Sequence, residues 1–176
     1  ASLKANIELV LANARLAAAR GWDVAINYTR DAKAAEAVAQ DVRAQGRRAI
    51  TLQADVADEA QVRALFTTLD RDFGQLAGLA NNAGVVDQAA RFVDMDATRL
   101  QRMFAINVFG TMYCCRQAVQ RMSTRLGGAG GAIVNLSSVA AVLGSPGLYV
   151  DYAAAKGAID TSTRPWSFRA VEGTPL

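Results

Sequence analysis

Trp22-Asp23-Val24-Ala25-Ile26-Asn27-Tyr28, then Ala32 to Gln45 closed by Gly46, then Ala49-Ile50-Thr51-Leu52-Gln53, is a strand, a helix and a second strand within little more than thirty residues. Val24 and Ile26 make the first run a short buried strand, whereas the alanine-rich stretch after it has helical character and a glycine at its end. Two strands joined by a helix lie parallel, because the helix carries the chain back to the end of the sheet where the first strand began. The same alternation continues outward. Asp55-Val56-Ala57 forms a short loop, Asp58 caps a helix running to about Asp72, and a strand passes through Leu79. Ala97 to Arg125 is expected to be one long helix. Gly127-Gly128-Ala129-Gly130-Gly131 turns it into a strand around Ile133, and a helix carrying Tyr152 closes the set. Strands separated by helices imply right-handed crossovers and an α/β fold with a doubly wound parallel sheet, three layers deep.

Residues able to do chemistry gather where such a sheet presents ligands, at the carboxyl ends of its strands. Gly131-Ala132-Ile133-Val134-Asn135-Leu136-Ser137-Ser138 is an apolar strand that opens into two hydroxyls, and Ser138 is placed to donate to a substrate oxygen. Leu79-Ala80-Asn81-Asn82-Ala83-Gly84 ends another strand in amides and a glycine. Asn107 stands inside the apolar run Phe104-Ala105-Ile106-Asn107-Val108-Phe109, where an amide needs a partner. In Tyr152-Ala153-Ala154-Ala155-Lys156 the tyrosine and the lysine share one helix face. An ammonium beside a phenol stabilises the phenolate left after proton donation, which is what an acid working at neutral pH requires. Each residue also has an ordinary role: Asn107 a satisfied helix amide, Asp55 a turn former, Gly84 a helix start or tight turn.

Taken in order, Asn81-Asn82-Ala83-Gly84, Asn107, the Ser137-Ser138 pair and Tyr152 to Lys156 resemble the short-chain dehydrogenase/reductase family from about Ala14 to about Thr161. Gly144-Ser145-Pro146-Gly147 and Tyr149-Val150-Asp151-Tyr152 are similar to bacterial NADP-dependent members, glucose dehydrogenase-like in wording. The resemblance implies a Rossmann-type fold and hydride transfer between a nicotinamide cofactor and an alcohol or carbonyl. It makes Tyr152 the general acid or base, with Lys156 lowering its pKa and binding the nicotinamide ribose, and Ser138 the group that polarises the carbonyl. It gives Asn107 a water that passes protons toward Lys156. Asn82, Ala83 and Gly84 would line the cofactor, and Asp55 and Val56 would contact adenine. It also implies a homo-oligomer, dimer or tetramer.

Cofactor preference is read at the end of the first strand, where a carboxylate favours NAD and an arginine attracts the extra phosphate of NADP. Asn27-Tyr28-Thr29-Arg30 favours NADP over NAD, with Arg30 as the phosphate ligand and Asp31 beside it as a counterweight.

Composition fits. A chain of 176 residues, 52% hydrophobic and 20% charged, is long enough for a single domain with its own core. The net charge of +3 is spread among acids, which argues against nucleic acid, and no apolar run is long enough for a membrane span. The absence of histidine excludes a Ser-His-Asp triad and histidine metal ligation, so no metal is expected. Cys114 and Cys115 point different ways on a helix and are read as reduced packing residues, which with the lack of a secretory signal places the chain in the cytoplasm.

Both ends depart from the family pattern. Residues 1 to 20 contain no glycine, although the family needs a glycine-rich turn to bring backbone amides to the pyrophosphate. Gly21 reads instead as the C-cap of a helix from Ala14 to Arg20. Ile7 to Ala12 is either a relic first strand or, from the spacing of Leu3, Ile7, Val10 and Leu11, part of a helix. At the other end Pro165 is expected to interrupt the Tyr152 helix, and the family's last strands do not follow. A noncatalytic remnant or interaction subunit is therefore the alternative to an oxidoreductase.

Overall fold

The computed structural model describes residues 3–167, with side chains from 11 to 163. It divides into two compact units, Ala1–Gly74 and Gln75–Leu176.

In the first unit, helix α1 (Leu3–Ala19) leads into strand β1 (Val24–Tyr28), helix α2 (Ala32–Ala44), strand β2 (Ala49–Gln53) and helix α3 (Glu59–Asp72). The two readings left open for the N-terminal segment resolve to helix; the side chains of Leu3, Ile7 and Val10 lie outside those described. Strands β1 and β2 are parallel, with Val24 opposite Ala49 and Tyr28 opposite Gln53. Ala35, Val38, Ala39 and Val42 fall at helical spacing on one face of α2 and bury it against Ile26 and Ala49, with Ala14 and Ala18 of α1 in the same cluster. These side chains are small, so the elements approach closely. Asp31 caps α2 through Ala34 N and Asp58 caps α3 through Ala60 N and Gln61 N. Phe66 is the largest side chain fully buried in this unit.

In the second unit, strand β3 (Gly78–Asn81) pairs in parallel with strand β4 (Ala132–Asn135), Asn81 lying opposite Asn135. The crossover between them holds helix α4 (Ala97–Phe104) and helix α5 (Thr111–Met122); helix α6 (Ala140–Leu143) and helix α7 (Val150–Ser167) follow β4. The long helix expected over Ala97 to Arg125 is present as one continuous helical run from Ala97 to Met122, its middle turn widened. A π-helical turn occupies Ala105–Gly110, and beyond Met122 the chain makes a 3₁₀ turn at Thr124–Leu126. The cause is local: Asn107 Nδ2 donates to Met103 O at 3.0 Å and Thr111 Oγ1 to Asn107 O at 3.0 Å, so side chains compete for the carbonyls four residues back. The glycine run after it behaves as read: a Cβ on Gly131 would stand 2.9 Å from Ala77 O, so only glycine lets the chain pass into β4 there.

Pro165 does not interrupt α7, which continues to Ser167. Its missing N–H removes one intrahelical bond, a loss that the described helix on either side of it tolerates. Removing the buried Phe66 ring leaves a void in the core of the first unit. Phe66→Ala is expected to lower unfolding stability by about 3–5 kcal/mol, read from the urea midpoint.

Candidate functional site

The second unit brings Lys156, Tyr152, Asn107 and Gly84 together. Tyr152 and Lys156 lie one turn apart on α7, and the Lys156 Nζ stands 5.8 Å from the centroid of the Tyr152 ring. Lys156 is only 6% exposed, and its ammonium donates to Leu136 O at 2.7 Å. Burial pushes its pKa below the ordinary 10.5, against a partial upward pull from Asp160. That bond and a weaker one from Ser137 Oγ to Lys156 O, 3.4 Å, fasten the segment after β4 onto α7. Ser138 follows, half-buried, its Oγ accepting the Ala140 N–H at 3.2 Å at the start of α6.

Asn107 is 1% exposed and fully bonded. Its Oδ1 accepts Val85 N at 3.0 Å and its Nδ2 donates to Val85 O at 2.9 Å as well as to Met103 O. The carboxamide therefore grips the chain immediately after Gly84. A Cβ at Gly84 would lie 2.7 Å from Asn107 Oδ1 and 3.6 Å from Lys156 Nζ. Glycine is needed there because amide and ammonium already fill the space. Beside it, Asn82 Oδ1 is buried with no hydrogen-bond partner, an acceptor held out of water past the end of β3. Ala83 is exposed.

The remaining sequence candidates belong to the first unit, past the carboxyl ends of β1 and β2. Arg30 is exposed in the bend after β1. Asp31 has its carboxylate on the N-terminus of α2, at 2.8 Å from Ala34 N, and so acts as a cap. Asp55 Oδ1 accepts Ala57 N at 3.0 Å, the turn-forming role, and its own N–H donates to Gln61 Oε1 at 2.9 Å. Val56 is buried. Among the described residues no group of three His, Cys, Asp or Glu is placed to hold a metal.

Sequence reasoning missed Arg99 and Asp151. Their side chains, 13% and 0% exposed, form a forked ion pair with Nε–Oδ2 at 2.8 Å and Nη2–Oδ1 at 3.3 Å. Burial alone raises the Asp151 pKa, but the Arg99 fork and the Tyr152 N–H outweigh it and hold the carboxyl below its ordinary range. Asp151 directly precedes Tyr152, and its acidity in the first turn of a helix was the available signal.

Residues 9–171 match the family model for short chain dehydrogenases. The chain belongs to that family. Over 152 residues it is 50% identical to Escherichia coli K12 "uncharacterized oxidoreductase YgfF", covering 86% of this chain and 62% of that protein. It is 34% identical to the Staphylococcus aureus 3-oxoacyl-[acyl-carrier-protein] reductase FabG, covering 81% of this chain and 56% of that one. A short chain dehydrogenase from Burkholderia cenocepacia J2315, solved in complex with NADP, superposes with a TM-score of 0.81 at 31% identity, over 92% of this chain and 62% of that one. Acetoin dehydrogenase from Enterobacter cloacae gives 0.82 at 32%, over 94% and 64%. The fold is thus the Rossmann-type α/β fold of these proteins, and the chain spans somewhat under two thirds of their length.

Two outcomes follow from this packing. Gly84→Ala should displace the Asn107 amide and lower stability by about 1–3 kcal/mol, read from thermal or urea unfolding. Because Lys156 releases its proton in the folded chain before it does in the unfolded one, the unfolded state binds more protons between the lowered pKa and 10.5, and stability rises with pH there. Unfolding free energy measured from pH 7 to pH 10.5 should therefore climb more in the parent chain than in Lys156→Met.

Proposed function

We propose that this protein interconverts an alcohol and a carbonyl with a nicotinamide cofactor, NADP(H) in preference to NAD(H). The observation that carries the reading is the buried Lys156 ammonium beside the Tyr152 ring. A lysine removed from water, with no carboxylate hydrogen-bonded to its amine, is costly and is kept where its charge is used. Tyr152 transfers the proton to the carbonyl oxygen in reduction and receives it in oxidation, while the neighbouring ammonium stabilises the phenolate. The Ser138 hydroxyl, half-buried past the end of β4, donates to the same oxygen.

The cofactor supplies or accepts the hydride. Several features suit its binding: only one of the three Lys156 donors is used on Leu136 O, leaving others for ribose hydroxyls. Gly84 keeps the approach clear of side chain, and Asn82 Oδ1 is an acceptor awaiting a donor. Asp55 and Val56 are assigned to the adenine and Arg30 to the 2′-phosphate. Asp31 spends one carboxylate oxygen on the cap of α2, which supports the reading of NADP over NAD. Asn107 holds the Gly84–Val85 segment with its carboxamide. The relay water toward Lys156 is then left to its backbone carbonyl, which the Thr111 hydroxyl already draws off the ordinary helical pattern.

One observation favours the alternative of a noncatalytic family member: the described segment before β1 is a single continuous helix, Leu3–Ala19. The exposed Phe109 and Met112, next to Tyr113 on α5, suit contact with a second copy under either reading.

Titration of the purified chain with NADPH and separately with NADH, followed by nucleotide fluorescence, tests the proposal. Binding of NADPH well ahead of NADH is expected, and binding of neither favours the noncatalytic reading. Tyr152→Phe should bind NADPH like the parent and turn over roughly two to four decades more slowly. Undiminished turnover in that variant removes Tyr152 as the proton donor.

A further inference from the structure

We infer that the buried Arg99–Asp151 pair sets the position of Tyr152, making both of them positioning residues for proton transfer; the inference rests on the role proposed for Tyr152. Asp151 is the second residue of α7, and its Oδ1 accepts the backbone N–H of Tyr152 at 2.9 Å. That N–H lies in the first turn and has no acceptor within the helix, so the carboxylate fixes the backbone that carries the phenol. Arg99 in turn clamps both carboxylate oxygens, and its remaining arm donates from Nη1 to Gln88 O at 2.8 Å. Arg99 is itself held, since its N–H is capped by Asp96 Oδ1 at 2.7 Å.

The consequence is a single segment pinned at two places. Asn107 grips Val85, beside Gly84 and Lys156, and Arg99 grips Gln88, opposite the start of α7. Ala90 N adds a bond to Leu148 O at 3.2 Å, just before that helix. The loop after β3 and the first turn of α7 are thereby fixed to one another, and with them the offset between Tyr152 and the rest of the site. Stability alone does not account for the pair. Two charges taken out of water are replaced by well-packed apolar side chains with little loss, or with gain, in many proteins. A planar fork, however, fixes direction as well as distance, which an apolar contact does not.

The test compares Arg99→Met, Asp151→Asn, Arg99→Lys and the double variant Arg99→Met/Asp151→Leu with the parent. Three quantities are read: melting temperature, kcat and KM for NADPH-dependent carbonyl reduction, and the ¹³Cζ resonance of Tyr152 in tyrosine-labelled protein, assigned with Tyr152→Phe. The double variant is expected to melt near the parent while kcat falls on the order of tenfold to a hundredfold, as for a misplaced reacting group, with KM for NADPH unchanged. Its Tyr152 resonance should shift or broaden, and Arg99→Lys should recover part of both signals. Parent-like kcat in the double variant, or an unmoved Tyr152 resonance, overturns the inference. If the parent chain itself shows no turnover, the proposed activity fails and the resonance alone decides the positioning role. Should the double variant not fold, Arg99→Lys and Asp151→Asn are read by the same criteria.

Discussion

Taking the Lys156 ammonium out of water is the constraint around which the second unit is arranged. An unpaired buried charge costs several kcal/mol after relaxation, and the group answers by holding its proton less tightly and by bonding whatever oxygen is close. Here that oxygen is the Leu136 carbonyl, at the point where β4 gives way to the loop bearing Ser137 and Ser138. The bond therefore does two things at once. It compensates part of the desolvation, and it holds the hydroxyl-bearing loop against the helix that carries Tyr152. Gly84 and Asn107 then occupy the remaining room, and the Asn107 amide is in turn satisfied by both backbone atoms of Val85. Few of these groups can be altered without exposing or stranding another.

Much of this was legible in the sequence because it depends on neighbours in the chain. The period-two run of β1, the alanine stripe of α2, the Asp58 cap and the glycine turn before β4 are all local statements, and the structure agrees with them within a residue or two. The Tyr152 to Lys156 spacing was equally local. What the sequence concealed was the competition inside Ala97 to Arg125, where a continuous apolar pattern hides the fact that Asn107 and Thr111 bond the carbonyls one turn back and widen the helix. Proline led to the opposite error at 165, since a missing N–H removes one bond without ending a helix that neighbouring turns support, and α7 runs through it to Ser167.

The Arg99–Asp151 pair was hidden for another reason. Its partners are 52 positions apart, and beyond the place of Asp151 in a first helical turn nothing in the local sequence distinguishes them from solvated charges. Only the packing of α4 against α7 makes the pair buried. The same holds in reverse for Asp31, which looked like a competitor for the cofactor ribose and proves to be a helix cap. A carboxylate next to an arginine at the end of a strand carries two meanings, and the orphan N–H groups of the following helix decide which applies.

Helix α7 gathers these threads. Among its described side chains the buried face is built from Ala153, Ala155 and Ile159, while two polar buried residues, Asp151 and Lys156, each reach a partner on a different element. Near Tyr152 the buried apolar residues of α7 are the small Ala153 and Ala155, which leave that turn some freedom to rotate, whereas Ile159 interlocks only farther along. A fork at its first turn and an ammonium bond one turn later remove that freedom, since a slip of even one residue would break both. Tyr152 lies between these two fixed points. The rigidity its chemistry would require is thus supplied by two polar contacts whose burial is individually unfavourable, in a region where the apolar packing is too smooth to supply it.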